Sequence, residues 1–215
     1  MKDETQKREP RKSDASSNLP ASRLRELVGR AQEGDLDAFQ ELYSFYGRKI
    51  LNYLYRMTGS REEAEDLAQD TFILAFRNLG SLKHPERFQS WLFRIAQNNV
   101  YQKYRGKRPQ IESIDEEDFN ELSDLQRLST PSKGPEEAVL SDELEALVQQ
   151  AISELPEKYR TVFVLSAIQK MSYQRISEIV GRSLASVKSD IHRARVEVRD
   201  KIKKYLGKNY GMSKL

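Results

Sequence analysis

The sequence of 215 residues contains no cysteine and only two histidines. Disulfides, thiol chemistry and cysteine-based zinc sites are therefore excluded, and His84 and His192 lie too far apart in the chain to suggest a metal site. A glycine-rich phosphate loop, a Gly-x-Ser-x-Gly motif and a His/Glu zinc pattern are also missing. Carboxylates are abundant but fall in polar segments that offer no desolvated pocket for a general acid. We expect no enzyme, no cofactor and no small-molecule substrate.

The chain also lacks long apolar runs. No stretch approaches the ~20 residues that a membrane-spanning helix needs, so no membrane insertion is expected. The first twenty residues are charged and have no apolar segment, which argues against a secretory signal and predicts a disordered tail. Together with the missing cysteines, these features predict a cytoplasmic protein.

Apolar residues recur at three- and four-residue steps along most of the chain, which is the period of an amphipathic helix. Gly59 is expected to end the second helix, and Ser60 with Glu63 would form a capping box for the third. No strand-like alternation persists, so the sequence predicts an all-α fold. The strongest helical pattern is carried by Phe39, Leu42, Tyr43, Tyr46, Ile50, Tyr53, Leu54 and Met57.

One segment differs sharply in charge from the rest. Residues 112–145 contain twelve acids and only two bases, and prolines and a glycine interrupt them. Such a segment repels itself and predicts an extended linker between two helical domains. We predict a disordered tail over 1–20, a first domain over 21–108, the linker over 109–139, a second domain over 140–207 and a tail over 208–215.

The second domain carries a helix-turn-helix pattern. Ser172 can cap a short helix, Gly181 suits a left-handed residue after it, and Ser183 can cap a longer helix. This arrangement is typical of DNA-binding proteins, although an ordinary helical hairpin has the same spacing. On the longer helix, Lys188, Arg195 and Arg199 form a basic flank and Ser189 and His192 lie opposite the apolar stripe, while Asp190 and Glu197 fall on the other flank.

A helix around Trp91 carries a second candidate surface. Its predicted buried stripe is Phe88, Leu92, Ile95, Ala96 and Val100. A different face groups Trp91, Arg94, Asn98, Tyr101, Gln102 and Arg105. Aromatic rings stack on unpaired bases, amides read base edges and guanidinium groups hold phosphates. The alternatives are that Trp91 is a large core residue at the edge of the stripe and that Asn98 makes a structural hydrogen bond.

The third helix has an acidic exposed face. Ala64, Leu67, Ala68, Thr71, Leu74 and Ala75 form its predicted buried stripe. Asp66, Gln69, Asp70, Ile73 and Arg77 lie on the opposite side. An isoleucine within an acidic face favours a protein partner, although single exposed apolar residues are common.

Five motifs occur in a fixed order: GDLDAFQELYSFYGRKI, AEDLAQDTFILAF, FQSWLFRIAQN, LPEKYRTVFVL and MSYQRISEIVGRSLASVKSDIHRAR. In this order and spacing the chain resembles bacterial RNA polymerase sigma factors of the extracytoplasmic-function group of the sigma-70 family. The resemblance covers both helical domains and leaves the tail and the linker unmatched.

The resemblance implies specific roles for these residues. Asp66, Gln69, Asp70 and Ile73 would bind the clamp helices of the largest subunits of core RNA polymerase. Promoter DNA would be bound at the −10 element by Trp91, Arg94, Asn98, Tyr101, Gln102 and Arg105. The −35 element would be bound by Lys188, Ser189, His192, Arg193, Arg195 and Arg199. The linker would thread the basic RNA exit path, and an anti-sigma factor would hold both domains.

Three departures from the family pattern bear on promoter sequence. Gln102 replaces a common Asp, Asp190 replaces a common Arg, and Ala185-Ser186 replaces Gly-Thr. Asp190 is therefore the first candidate for an altered −35 preference. Two other classes remain open at this point: a stand-alone helix-turn-helix regulator, and a purely protein-binding adaptor.

Overall fold

The computed structural model describes residues 19–105 and 135–210. These residues form helices and connecting turns, with no strand in either described range, so the predicted all-α fold is confirmed. The helices are α1 (Ala21–Gln32), α2 (Leu36–Thr58), α3 (Arg61–Asn78), α4 (Phe88–Arg105), α5 (Pro135–Ser153), α6 (Glu157–Phe163), α7 (Tyr173–Val180) and α8 (Leu184–Tyr210).

The first four helices pack around a common apolar core. The side chains that fill it come from helical positions three and four residues apart, and the largest fully buried ones include Leu42, Ile50, Phe88 and Leu92. The ends of α2 follow from local sequence: the Asp35 carboxylate accepts from the Ala38 amide at the start, and Gly59 closes the helix with φ 76°. A positive φ of this kind favours glycine.

The second bundle consists of α5 to α8. Its core contains Val162, Leu165, Ile176 and Ile191, from three of these helices and the turn after α6. That turn, Val164–Ile168, is π-helical, which the sequence did not predict. Helix α5 begins at Pro135, within the segment predicted as linker over 109–139. The rest of that linker, and both predicted tails except residues 19, 20 and 208–210, lie outside the described residues.

The periodicity was wrong for two side chains. Leu74, assigned to the buried stripe of α3, is exposed, and Tyr43, part of the α2 pattern, is 52% exposed. The capping box at α3 is only half formed. The Ser60 hydroxyl accepts from the Glu63 amide, but the Ser60 amide donates to Thr58 Oγ1 instead of to the Glu63 side chain.

The two bundles meet at a polar junction. Arg56 of α2, only 7% exposed, donates to Gln149 at 3.1 Å and to Glu145, both on α5. Arg160 of α6 donates to the Met57 carbonyl at 3.0 Å. Arg175 of α7 donates to Gln89 of α4 at 2.7 Å. Three arginines therefore donate hydrogen bonds across the junction, beside an apolar core that is continuous between the bundles.

Buried polar atoms without a hydrogen-bond partner lie in the same region. In the described part of the chain they include Tyr53 Oη, Arg56 Nε and Arg160 Nε at the junction, and Gln97 Oε1 two turns along α4 from Gln89. Burial raises the pKa of the Tyr53 hydroxyl well above its usual range. An unpaired buried polar atom costs about 1–3 kcal/mol, so the junction contributes less stability than an apolar interface of equal area.

The end of α5 is tied to α8 by an acid-sensitive contact. Lys201 donates to Glu154 at 2.7 Å and Tyr205 donates to the other oxygen, and these hydrogen bonds lower the pKa of Glu154 to about 2. A depressed carboxyl pKa stabilises the fold above the unfolded pKa of 4.5, and that stability is lost as the pH falls toward 2.

We therefore expect Glu154→Gln to lower the melting temperature at neutral pH. The difference from the wild type should shrink as the pH falls from 4.5 to about 2, because the wild-type carboxylate is then protonated. Thermal denaturation followed by circular dichroism across this range measures the effect. Lys201→Met should show a similar pH-dependent difference in melting temperature from the wild type. A difference that stays constant with pH in Glu154→Gln would contradict a stabilising role of the Glu154 carboxylate.

Candidate nucleic-acid and protein interfaces

Helix α8 presents the basic surface that the sequence predicted. It follows a tight turn in which Gly181 adopts φ 63°, and the Ser183 hydroxyl accepts from the Ser186 amide at 3.3 Å. Val187, Ile191, Ala194 and Val198 are buried against the domain. The structure places all six predicted −35 side chains in solvent on this helix: Lys188, Ser189, His192, Arg193, Arg195 and Arg199.

Two of these arginines have partners within the domain. Arg193 donates to the Tyr159 hydroxyl of α6 at 3.3 Å, which lowers the pKa of that tyrosine. Arg199 donates to its neighbour Asp200 at 3.1 Å. Both pairs are exposed, so each contributes little to stability and can be exchanged for phosphate contacts.

Asp190 differs from the other acidic residues of this helix. The sequence placed it on a flank beside the DNA-facing residues, but the structure buries it to 6% exposure. Its carboxylate accepts from Arg182 in the turn. The acidic residue that replaces the usual Arg therefore points into the helix-turn-helix corner, and Glu197 stays on the half-buried flank.

The Trp91 face of α4 is partly exposed. Trp91 is half-buried, and its ring lies 5.9 Å from that of Phe88 at an angle of 41°. Arg94, Asn98 and Tyr101 are also half-buried, and Gln102 is exposed. The structure thus brings five of the six predicted −10 side chains onto one side of α4. Arg105 is the last residue of this helix, and its side chain lies outside the described part.

Other polar residues of α4 are buried, and the sequence did not single them out. Asn99 donates to Thr71 Oγ1 at 3.0 Å, and that hydroxyl donates to the Leu67 carbonyl at 2.7 Å. The structural hydrogen bond considered for Asn98 is therefore made by its neighbour. Gln89 and Gln97 are also buried. The Gln89 side chain accepts from Arg175 of the second bundle, a contact that helical periodicity does not predict.

The acidic face of α3 is exposed as predicted. Asp66, Gln69, Asp70 and Ile73 share one side of the helix because they lie three, four or seven residues apart. Ile73 is 48% exposed in the middle of this group. Within residues 19–105 and 135–210, the fold leaves these four side chains open to a partner.

An apolar patch continues from Ile73 onto α2. Phe76, 46% exposed, follows Ile73 by one turn, and its ring lies 5.0 Å from that of Phe39. Exposed Leu36 and Tyr43 are one turn from Phe39 on either side, and the Tyr43 ring lies 4.7 Å from Phe72. A contiguous apolar patch with a polar rim is typical of a protein-binding surface. Helical periodicity did not predict the α2 half of this patch, because Phe39 and Tyr43 fit a buried helical pattern.

A groove of about 460 Å³ runs between α2 and α3 beside this patch. Gln69 lies on its wall, so the groove adjoins the acidic face. The other lining residues are Tyr43, Ser44, Gly47, Arg48, Leu51, Glu65, Ala68 and Phe72. The groove can receive a side chain of a partner helix.

The described residues hold no cluster of three or more His, Asp or Glu side chains suited to a metal ion. Within the same ranges, no helix is both long and apolar enough to cross a membrane.

A helix-turn-helix with a basic recognition helix, joined to a helical bundle with an aromatic and amide face, defines a two-domain DNA-binding protein. Two family models match it: "Sigma-70 region 2" over residues 42–110 and "Sigma-70, region 4" over residues 145–198. The ECF RNA polymerase sigma factor SigW of Bacillus subtilis is 37% identical over 181 residues, covering 84% of this chain and 97% of the relative. The RNA polymerase sigma-H factor of Pseudomonas aeruginosa is 38% identical, covering 79% and 89%. The chain therefore belongs to the sigma-70 family, in its extracytoplasmic-function (ECF) group.

Solved structures agree with the fold. A structure of CnrH in complex with the cytosolic domain of CnrY is 26% identical with a TM-score of 0.62, covering 83% of this chain and 96% of that one. The sigma factor RpoE of Bartonella quintana, solved with the anti-sigma factor NepR, has a TM-score of 0.55 at 21% identity, covering 78% and 98%.

Proposed function

We propose that this protein binds core RNA polymerase and directs it to promoters with two DNA elements. The observation that supports this most strongly is the pairing of two nucleic-acid surfaces of different character in one chain. The α4 face, with Trp91, Arg94 and Asn98, suits unpaired bases, whereas the α8 face suits a duplex groove. In this proposal the protein supplies binding surfaces to the polymerase and acts where polymerase is found, in the cytoplasm.

The exposed face of α3 is the proposed polymerase-binding surface. Asp66, Gln69, Asp70 and Ile73 would contact the clamp helices of the largest subunit, with Ile73 as the apolar centre. The same patch is extended by Leu36 and Tyr43 of α2 and by Phe76 of α3, so we include these side chains in the interface. An apolar centre surrounded by carboxylates favours a partner with apolar and basic side chains.

The −10 element would be captured by α4. Trp91 would stack on an unpaired base, Asn98 and Gln102 would read base edges, and Arg94, Tyr101 and Arg105 would hold the backbone. The half-buried position of Trp91 fits this role, because packing on Phe88 fixes the ring while one side stays accessible.

The −35 element would be read by α8 in the major groove. Lys188, Ser189 and His192 lie near the start of the helix, where base edges are reached. Arg193, Arg195 and Arg199 lie further along and would contact phosphates or flanking bases. Such contacts fix the register of the helix on the duplex.

We also propose control by an anti-sigma factor. CnrH, a related structure above 25% identity, was solved in complex with the cytosolic domain of CnrY. The exposed apolar patch on α2 and α3 offers such a partner the same surface that polymerase would use. A competitor for this patch would keep the protein from polymerase.

Transcription in vitro with sigma-free core polymerase on a library of promoters tests the function. Initiation at defined promoters that depends on this protein supports it. No specific initiation, together with tight binding of the protein alone to duplex DNA, would support a stand-alone helix-turn-helix regulator. The exposed α3 patch and the Trp91 face argue against that alternative, because such a regulator would use neither.

A further inference from the structure

Asp190 faces inward from a helix whose neighbouring residues face solvent. Lys188 and Ser189, directly before it, are exposed, whereas Asp190 is 6% exposed and Ile191 after it is buried. A carboxylate in such a position requires a partner, because an unpaired buried charge is strongly unfavourable. Its orientation also removes it from the surface that would approach DNA.

The partner of Asp190 is Arg182, eight residues earlier in the turn between α7 and α8. The guanidinium donates to the carboxylate, and the Arg182 side chain is 29% exposed. The backbone of Arg182 is held as well. Its carbonyl accepts from the Ser177 hydroxyl of α7, and its amide donates to the Ser177 carbonyl at 3.3 Å. One residue of the turn therefore connects both helices of the motif.

These contacts add to the apolar packing of Val187, Ile191 and Ala194 in setting the angle between the two helices. The αL conformation of Gly181 and the Ser183 cap determine where α8 begins, but neither contacts the body of α8. The Asp190–Arg182 pair adds a contact nearly two turns into the helix. Without it, the apolar stripe would still hold α8 on the domain, but the first two turns would lose a polar restraint, and the side chains at 188 and 189 would be placed less accurately for contact with base edges.

We propose that Asp190 is a positioning residue for −35 recognition and acts through Arg182 rather than by contact with DNA. The inference rests on the proposed function, since it assigns a role within the −35 site. It also explains how an acid can replace the usual Arg at this position without placing negative charge against the DNA. Because the proposed role needs both Asp190 and Arg182, either residue can be substituted, and exchanging the two charges should preserve the pair.

The test uses holoenzyme assembled from core polymerase and the full chain. One template carries both promoter elements, and the other is a premelted −10 template with no −35 element. Asp190→Asn and Arg182→Gln should each lower initiation on the first template by about tenfold and leave the second unchanged. Asp190→Arg combined with Arg182→Asp should recover most of the loss, and Asp190→Glu should recover part of it.

Glu197→Gln is the matched control, because Glu197 is an acid on the same helix and lies on the flank away from the basic residues. It should behave as the wild type on both templates. Melting curves of each variant separate loss of fold from loss of positioning. The inference is overturned if Asp190→Asn leaves −35-dependent initiation intact, or if Asp190→Arg changes the preferred −35 bases whatever residue stands at 182. Failure of the wild type on both templates would instead refute the proposed function.

Discussion

Replacing Ile73 with aspartate should weaken binding to core RNA polymerase by at least about tenfold, because it puts a charge at the apolar centre of the proposed interface. Ile73 is 48% exposed between Asp70 and Phe76 and supports no core contact that the fold needs. The expected loss is therefore one of affinity, not of stability. Fluorescence anisotropy of labelled protein titrated with sigma-free core polymerase measures it.

Leu144→Asp provides the matched control. Leu144 lies on α5 and is 47% exposed, close to the value for Ile73, but it is outside the α2 and α3 patch. It should bind polymerase as the wild type does. Equal losses in the two variants would mean that any added charge reduces binding, and no loss in Ile73→Asp would remove this residue from the interface. Phe76→Ala should give a smaller loss, since it reduces the apolar area without adding charge.

Trp91→Ala should reduce open-complex formation by roughly tenfold or more while changing core binding little, because stacking on one base contributes about 1–3 kcal/mol. The ring of Trp91 packs on Phe88 and is only half-buried, so truncation leaves the α4 core residues in place. Permanganate reactivity of thymines in the −10 element, measured with equal amounts of assembled holoenzyme, reports the melting step. Polymerase affinity is measured separately by anisotropy.

Trp91→Phe distinguishes a stacking role from a packing role. Phenylalanine keeps an aromatic ring against Phe88 and retains most of the stacking surface, so melting should be largely restored. A parallel decrease of polymerase binding, melting and thermal stability in Trp91→Ala would identify Trp91 as a core residue. That outcome corresponds to the alternative that the sequence left open.

Local signals predicted the elements of the fold well. Helix ends followed from Gly59, Ser60, Ser172 and Gly181, whose caps and left-handed conformations depend only on nearby residues. The buried stripes of α4 and α8 also followed from periodicity, because each helix packs mainly on its own domain. The assignment of individual site residues to polymerase and DNA contacts stays a prediction.

The exposure or burial of several side chains could not be predicted from the sequence, because it depends on residues distant in the chain. Periodicity reports which side of a helix is apolar, but not whether another element covers that side. Tyr43 and Leu74 are exposed because the first bundle ends beside them. Arg56 is buried because α5 covers it, 89 residues further along. Asp190 is paired with Arg182, and a helical wheel of α8 alone does not select this arginine over Arg193 or Lys201 as its partner.

The junction between the bundles affects how the protein unfolds in denaturant. Arginine hydrogen bonds cross it, and Tyr53 Oη and Gln97 Oε1 stay buried nearby without partners that water would provide on separation. Most helix packing lies within each bundle, so parting the bundles should expose less surface than unfolding either core. Urea titration should therefore show an early step with a small m-value before the main transitions. We expect that step to be separation of the two bundles with each core still folded.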